Sequence, residues 1–200
     1  MQEQRLIISK DLQDSLGAQF TYIISSIDNL KYAKLIENEK VSNQLTKISN
    51  YTKSTFIELR DTIWAMKSSE YTFEEMQSRI SNFTEKALTE KSKIDFKFII
   101  NDDVINTKLS LIVGINIFRS IQEAVNNAIK FSEASEIEVT VFKNEINLQI
   151  EVRDNGKGFD LASAEYGSGI QNIEKRIEEI GGKVTINSVI NEGTTVLILI

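Results

Sequence analysis

The chain has 200 residues, a formal net charge of −6, 41% hydrophobic side chains, and no cysteine, proline or histidine. Without Cys or His it cannot build a zinc site of the usual kind, a disulfide framework, a thiol nucleophile or a Ser-His-Asp triad. Its chemistry must come from carboxylates, amides, hydroxyls and lysines. The acidic balance argues against general nucleic-acid binding and favours a small-molecule or protein partner.

No apolar run approaches the roughly 18 residues that cross a bilayer, and residues 1–10 are too charged for a signal peptide, so a cytoplasmic chain is expected. Eight of the nine glycines follow residue 110, which divides the chain in two. In the first region Leu12, Leu16, Phe20, Ile23, Ile27 and Leu30 form one apolar stripe; Val41, Leu45, Ile48, Thr52, Thr55, Leu59, Ile63 and Met66 form a second. Steps of three and four predict two long amphipathic helices joined by a short turn over 37–40. A lone hairpin leaves its apolar faces half exposed, so two chains are expected to pair as a four-helix bundle.

The pattern changes near residue 70. Thr72 with Glu75 reads as a capping box ahead of a helix carrying Phe73, Met76, Ile80, Phe83 and Ala87. Alternation at Ile94, Phe96, Phe98 and Ile100 predicts a strand, and Phe118, Ile121, Val125 and Ala128 mark the inner stripe of a further helix. Two strands follow (Ile137, Val139, Val141; then Ile146, Leu148, Ile150, Val152), separated by a turn at 143–145. A helix with Ile173, Ile177 and Ile180 ends at Gly181-Gly182, where a left-handed cap is expected. Strands over 184–188 and 195–200 close the chain. The order α, β, α, β, β, α, β, β predicts an α+β chain whose second region is a two-layer sandwich, with helices on one face of a mixed sheet.

Glu123, Asn127 and Lys130 step by four and three, which places them on one face of their helix, away from its core stripe. A carboxylate, an amide and an ammonium there could hold a divalent ion and a phosphate chain; the bland alternative is a solvated polar face. Asp154 continues the inward series Ile146, Leu148, Ile150, Val152, so a carboxylate points toward the core as the strand ends, and it needs a partner. It opens Asp154-Asn155-Gly156-Lys157-Gly158, whose glycines admit a flat or anionic ligand. Gly167-Ser168-Gly169 precedes a helix expected from Ile170, whose N-terminus favours phosphate. Each feature alone fits a turn or a surface face; together, in this order, they favour a nucleotide site.

These motifs resemble those of the sensor histidine kinases, in the subgroup paired with response regulators of the LuxR/NarL type. Residues 122–130 (Gln-Glu-Ala-Val-Asn-Asn-Ala-Ile-Lys) look like the family's N box, 154–158 like its G1 box, 167–170 with Asn172 and Arg176 like its G2 box, and Glu192-Gly193-Thr194-Thr195 like its closing motif. Residues 10–17, Lys-Asp-Leu-Gln-Asp-Ser-Leu-Gly, are similar to its phosphoacceptor motif. The resemblance implies a dimerisation and phosphotransfer hairpin over 1–70 and a GHKL-type ATP-binding domain over 71–200. It implies ATP and Mg²⁺ as cofactors, with Asn127 on the metal, Glu123 supporting it and Lys130 on the phosphates. Asp154 would accept from the adenine amino group, Gly156 and Gly158 would admit the nucleotide, Gly167 and Gly169 would hinge a lid, and Thr194 would line the adenine side. Asp14 would be the general base beside the acceptor. A homodimer and a response regulator are the implied partners, without direct nucleic-acid contact. A sensor and any membrane anchor would lie upstream of Met1.

The chain departs from the family pattern in three places. The phosphoacceptor position is Gln13, whose amide nitrogen is not nucleophilic because its lone pair is delocalised into the carbonyl, so no autophosphorylation is expected. The N-box histidine is Phe131. The glutamine of the subgroup's phosphatase motif is displaced from position 18, an alanine, to Gln19, about 100° away on a helix; Gln19 is the candidate for any phosphatase role. Gln13 fits either an introduced substitution in a working kinase or a natural pseudokinase that binds ATP and signals by shape. A serine kinase of the anti-sigma type shares the ATP motifs, but the long hairpin argues against it.

Overall fold

The computed structural model describes residues 2–32, 38–67, 70–88, 94–144, 146–160 and 168–200. It divides into two compact units, Met1–Ser69 and Glu70–Ile200.

The first unit is a pair of helices, α1 (Gln2–Tyr32) and α2 (Glu39–Lys67). Asn38 caps α2, its Oδ1 accepting from the backbone N–H of Lys40 and Val41 at 3.0 and 3.3 Å. The contact seam runs through Leu16, Phe20, Ile24 and Ile27 on α1 and through Leu45, Ser49, Thr52, Phe56, Leu59 and Ile63 on α2, all buried or half-buried. Phe20 and Phe56 stack with ring centroids 5.5 Å apart. On α2 this seam keeps alternating steps of four and three, yet it is rotated from the predicted stripe. Ser49 is buried, whereas Ile23, Leu30, Val41 and Ile48 stay 42–47% exposed. Two helices share one line of contact, narrower than an apolar stripe more than 100° wide, so the remainder of the stripe faces outward. A polar layer crosses the seam, with Ser49 Oγ donating to Asp28 Oδ1 at 3.4 Å and Lys53 Nζ to Asp28 Oδ2 at 3.3 Å. The side chain of Met66 lies outside the described residues.

The second unit opens with β1 (Tyr71–Thr72) and α3 (Phe73–Leu88). The capping box forms reciprocally: Glu75 N–H donates to Thr72 Oγ1 at 3.3 Å and Thr72 N–H to Glu75 Oε2 at 3.2 Å. Then come β2 (Asp95–Ile100), β3 (Lys108–Leu109), α4 (Leu111–Asn127), β4 (Glu136–Lys143), β5 (Leu148–Asp154), α5 (Ser168–Glu178), β6 (Lys183–Val189) and β7 (Gly193–Leu199). Five strands make one mixed sheet in the order β2-β4-β5-β7-β6; β2 and β4 run parallel and the other neighbours antiparallel. The short strands β1 and β3 were not expected; they pair Tyr71 with Leu109 and Thr72 with Lys108.

Inward residues of the sheet (Ile137, Val139, Val141, Ile150, Val152, Val196, Ile198) meet Ile117, Ile121 and Val125 of α4 and Ile173 and Ile177 of α5 in a buried core. The other face of β4 and β5 carries Glu136, Glu138, Thr140, Gln149, Glu151 and Arg153, giving the two-layer form expected. Ile146 is not part of β5. Asn144 Oδ1 accepts from Ile146 and Asn147 N–H at 3.0 and 2.7 Å, an Asx turn that leaves Ile146 exposed. α5 closes as expected, with Gly181 at φ 78° and Gly182 N–H donating to the Ile177 carbonyl at 2.9 Å.

Candidate functional site

Asp154 is the last residue of β5, in register with Ile137 of β4 and Thr194 of β7. It is 6% exposed. Gly156 N–H donates to its Oδ1 at 2.9 Å. Burial raises the carboxyl above the ordinary aspartate range, and the backbone N–H groups of Gly156 and Thr194 pull it partly back. The sequence expectation of an inward acid therefore holds, with two backbone donors on the protein side.

The loop after Asp154 is clasped to the chain entering β4. Asn155 Oδ1 accepts from Ser135 and Glu136 N–H, each at 3.0 Å, and Asn155 Nδ2 donates to Ser135 Oγ at 3.0 Å. Lys157 N–H donates to the Ser132 carbonyl at 2.7 Å. Lys157 Nζ meets Glu133 Oε1 at 2.6 Å, which holds the Glu133 carboxyl below its usual range. Gly156 packs so closely on Ser132 that a Cβ would collide with the Ser132 carbonyl oxygen. Gly158 has φ 58°, and a Cβ there would meet the Val189 carbonyl, so both conformation and space require glycine.

α4 supplies the opposite wall. Ser110 caps it, accepting from Val113 N–H at 3.4 Å. The α-helix stops at Asn127 and the chain continues as a π-helical turn, Ala128–Ser132, that ends at Glu133 with φ 57°. Asn127, half-buried, and Lys130, exposed, thus stand on either side of the change from α- to π-helical turn, and both line the cavity described below. The wider turn resets the angle of Lys130 and Phe131, as π turns often do at functional sites. Ser132 stabilises it, its hydroxyl donating to the Ala128 carbonyl at 2.7 Å and accepting from Ala134 N–H at 3.0 Å.

α5 begins at Ser168, two residues before the expected start, so Gly169 lies within its first turn. Gly169 packs on the side chains of Glu123 and Asn127, where a Cβ would strike Glu123 Oε1. The Glu123 carboxylate therefore rests at the N-terminal end of α5, where the helix dipole favours negative charge.

These elements enclose a cavity of about 580 Å³. Its sheet side presents Asp154, Thr194, Ile186 and Val196. Its helix side presents Asn127, Lys130, Phe131, Gly169 and Ile173, and the Asp154 loop adds Lys157, Gly158 and Phe159. Among the predicted site residues the structure brings together Asn127, Lys130, Asp154, Gly158, Gly169 and Thr194. Glu123 and Gly156 stand behind the wall. Gly167 lies outside the described residues. Gln13 and Asp14 are on α1, with side chains outside the described residues, and Gln19 is exposed on the same helix. Sequence reasoning missed Phe159, Asn155 and Ser188. Ser188 had a signal, since it continues the inward series Val184, Ile186 of β6. Among the described residues no group of three His, Cys, Asp or Glu side chains that could hold a metal ion occurs, so a divalent ion here would take few protein ligands, and Asn127 brings an amide to the cavity lining.

Residues 113–200 match the family described as histidine kinase-, DNA gyrase B-, and HSP90-like ATPase. This part of the chain is similar to the ATPase domains of that family. The relatives are sensor kinases: over 89 residues the chain is 35% identical to the signal transduction histidine-protein kinase/phosphatase DegS of Brevibacillus brevis, covering 44% of this chain and 23% of that protein. Over 197 residues it is 25% identical to the sensor histidine kinase LiaS of Bacillus subtilis (strain 168), covering 97% of this chain and 53% of LiaS. The chain thus spans about half the length of LiaS, and the stretch matched to DegS about a quarter of that protein. Among solved structures, the Acinetobacter baumannii histidine kinase AdeS superposes with a TM-score of 0.62 at 13% identity, covering 90% of this chain and 94% of that one, a likeness of fold.

Proposed function

We propose that the chain is the catalytic core of a two-component sensor histidine kinase that binds Mg-ATP in the cavity of its second unit. The observation that carries this reading is the cavity itself, with a buried carboxylate on its sheet side and an amide and an ammonium on its helix side, in a region similar to the histidine kinase-like ATPase domains. Asp154 and Thr194 take the adenine, Lys130 the phosphates, and Asn127 the Mg²⁺ with Glu123 in support. Gly156 and Gly158 let the Asp154 loop pack closely on Ser132 and Val189 beside the nucleotide, and Gly169 lets α5 approach Glu123 and Asn127. When bound, the metal neutralises phosphate charge.

In the first unit the outward apolar stripe of each hairpin packs on that of a second copy as a four-helix bundle. In the parent reaction an imidazole nitrogen at position 13 attacks the γ-phosphorus, the β–γ P–O bond breaks with ADP leaving, and Asp14 takes the imidazole proton. The phosphoryl group then moves to an aspartate of a LuxR/NarL-type response regulator. With Gln13 in place this chain is autokinase-dead. The test is Gln13→His incubated with labelled Mg-ATP: acid-labile, base-stable label on the variant and none on the parent chain is the expected result.

Gln13 favours a second reading, a non-enzymatic scaffold that binds ATP and a response regulator without phosphorylating it. ATP binding with no label on Gln13→His would select it, and no ATP binding would remove both readings.

A further inference from the structure

Asn155-Gly156 is the one Asn-Gly step in the chain. Each residue answers a different demand of the loop after β5. Position 156 requires glycine, because a Cβ there would collide with the Ser132 carbonyl oxygen and lie 2.8 Å from Asp154 Oδ1. Position 155 uses both polarities of an amide side chain: Oδ1 accepts from Ser135 and Glu136 N–H, and Nδ2 donates to Ser135 Oγ. Together the two demands put a residue without a Cβ directly after a solvent-exposed asparagine.

That pairing has a chemistry of its own, for which water is the only co-reactant. Once hydroxide takes its proton, the Gly156 backbone nitrogen can attack Cγ of Asn155, unhindered by a side chain of its own. A new N–Cγ bond closes a succinimide ring, the Cγ–Nδ2 bond breaks, and Nδ2 takes a proton from water and leaves as ammonia. Water then adds to one of the two ring carbonyls. Breaking the N–Cγ bond gives aspartate; breaking the bond from that nitrogen to the residue-155 carbonyl carbon gives isoaspartate. Either route consumes one water and releases one ammonia. In the folded loop, however, both reacting groups are engaged. Gly156 is buried and its N–H donates to Asp154 Oδ1 at 2.9 Å, which shields that proton from hydroxide. The Asn155 carboxamide is held by Ser135 and Glu136, Asn155 N–H donates to the Glu136 carbonyl at 3.3 Å, and Lys157 N–H fixes the far side on Ser132 at 2.7 Å. Ring closure needs these bonds to open first.

We propose that Asn155 is a latent deamidation site that the clasp keeps silent, so that each local opening of the loop exposes it to one-way conversion. The consequence falls on the cavity. Aspartate at 155 cannot donate to Ser135 Oγ when ionised and sets a second carboxylate beside Asp154. Isoaspartate adds an atom to the backbone between Asp154 and Gly156 and so disturbs the N–H that holds Asp154 Oδ1.

The experiment incubates the parent chain, Ser135→Ala and Asp154→Ala at mildly alkaline pH, both folded and in guanidinium chloride. Trypsin cuts after Arg153 and Lys157 and releases residues 154–157 for mass spectrometry. The folded parent should convert at least about tenfold more slowly than the denatured chain. Ser135→Ala, which frees Nδ2, and Asp154→Ala, which frees Gly156 N–H, should each raise the folded rate about two- to tenfold and leave the denatured rate unchanged. Equal rates in the folded and denatured parent overturn the proposal, as does a denatured chain that is not modified at 155. An unchanged folded rate in both variants also overturns it. So does a rise shared by Asn187, which precedes Ser188 on β6, because it marks a general loosening of the sheet rather than release of the clasp.

Discussion

The helical hairpin and the α/β sandwich spend their apolar residues differently. In the sandwich Ile117, Ile121, Ile150, Ile173, Ile177 and Ile198 are wholly enclosed by one sheet face and the helices on it. In the hairpin only Ile27 and Ile63 are buried among hydrophobic side chains of the described residues, neither of them wholly, Ser49 and Thr52 occupy inner places, and a line of Ile and Leu faces outward. A sheet offers a broad surface that several helices can cover, whereas a helix touches a single neighbour along a narrow seam. The sandwich encloses its apolar residues within one unit, and the hairpin leaves part of its apolar stripe facing outward.

The largest test of this contrast is Ile150→Ala, which should cost about 2–5 kcal/mol in chemical denaturation because the cavity it leaves in a packed core cannot collapse. If the sandwich tolerates it at under 1 kcal/mol, the core is looser than described. Ile48→Asp should in turn abolish the proposed pairing of two copies, removing roughly 1.5–3 kcal/mol of burial per protomer. Light scattering that gives the same mass for variant and parent breaks that half of the comparison.

Asp154→Asn sharpens the comparison from inside the sandwich. Nucleotide affinity should fall by more than tenfold, about 1.4 kcal/mol or more. The ligand-free variant should nevertheless be more heat-stable than the parent at neutral pH. Burial raises the folded-state carboxyl, so its contribution to stability is greatest when protonated and is lost as pH rises through the raised value. The difference in melting temperature should shrink as pH is lowered through the acidic range; a constant difference from pH 7 to 4 would contradict the buried charge. Thr72→Ala removes one arm of the capping box and should cost about 1 kcal/mol. The smallest effect belongs to the half-exposed pair Lys53–Asp28, where Lys53→Ala should cost under about 1 kcal/mol and less in high salt.

The long elements were legible in the sequence because periodicity reports which face is buried, and Thr72 with Glu75 and Gly181 with Gly182 marked helix ends through local chemistry. The inward turn of Asp154 followed from alternation along β5 alone. Other features depend on partners distant in sequence. The seam of α2 is set by which residues Phe20 and Ile27 meet, so Ser49 displaced Ile48 with no sign in the stripe itself. The π turn after Asn127 has no periodic signature over five residues. Asn144 ended the alternation before Ile146 by capturing two backbone N–H groups, a choice that side-chain hydropathy does not register.

The clasp that Asn155 makes to Ser135 and Glu136, with the Lys157 N–H on Ser132, has a thermodynamic consequence for any ligand. The loop around the buried carboxylate is already ordered before anything binds, so little conformational entropy is surrendered on that side of the cavity. The amides of Ser135, Glu136 and Lys157 should accordingly be protected from hydrogen exchange in the empty protein, and ligand should change that protection little.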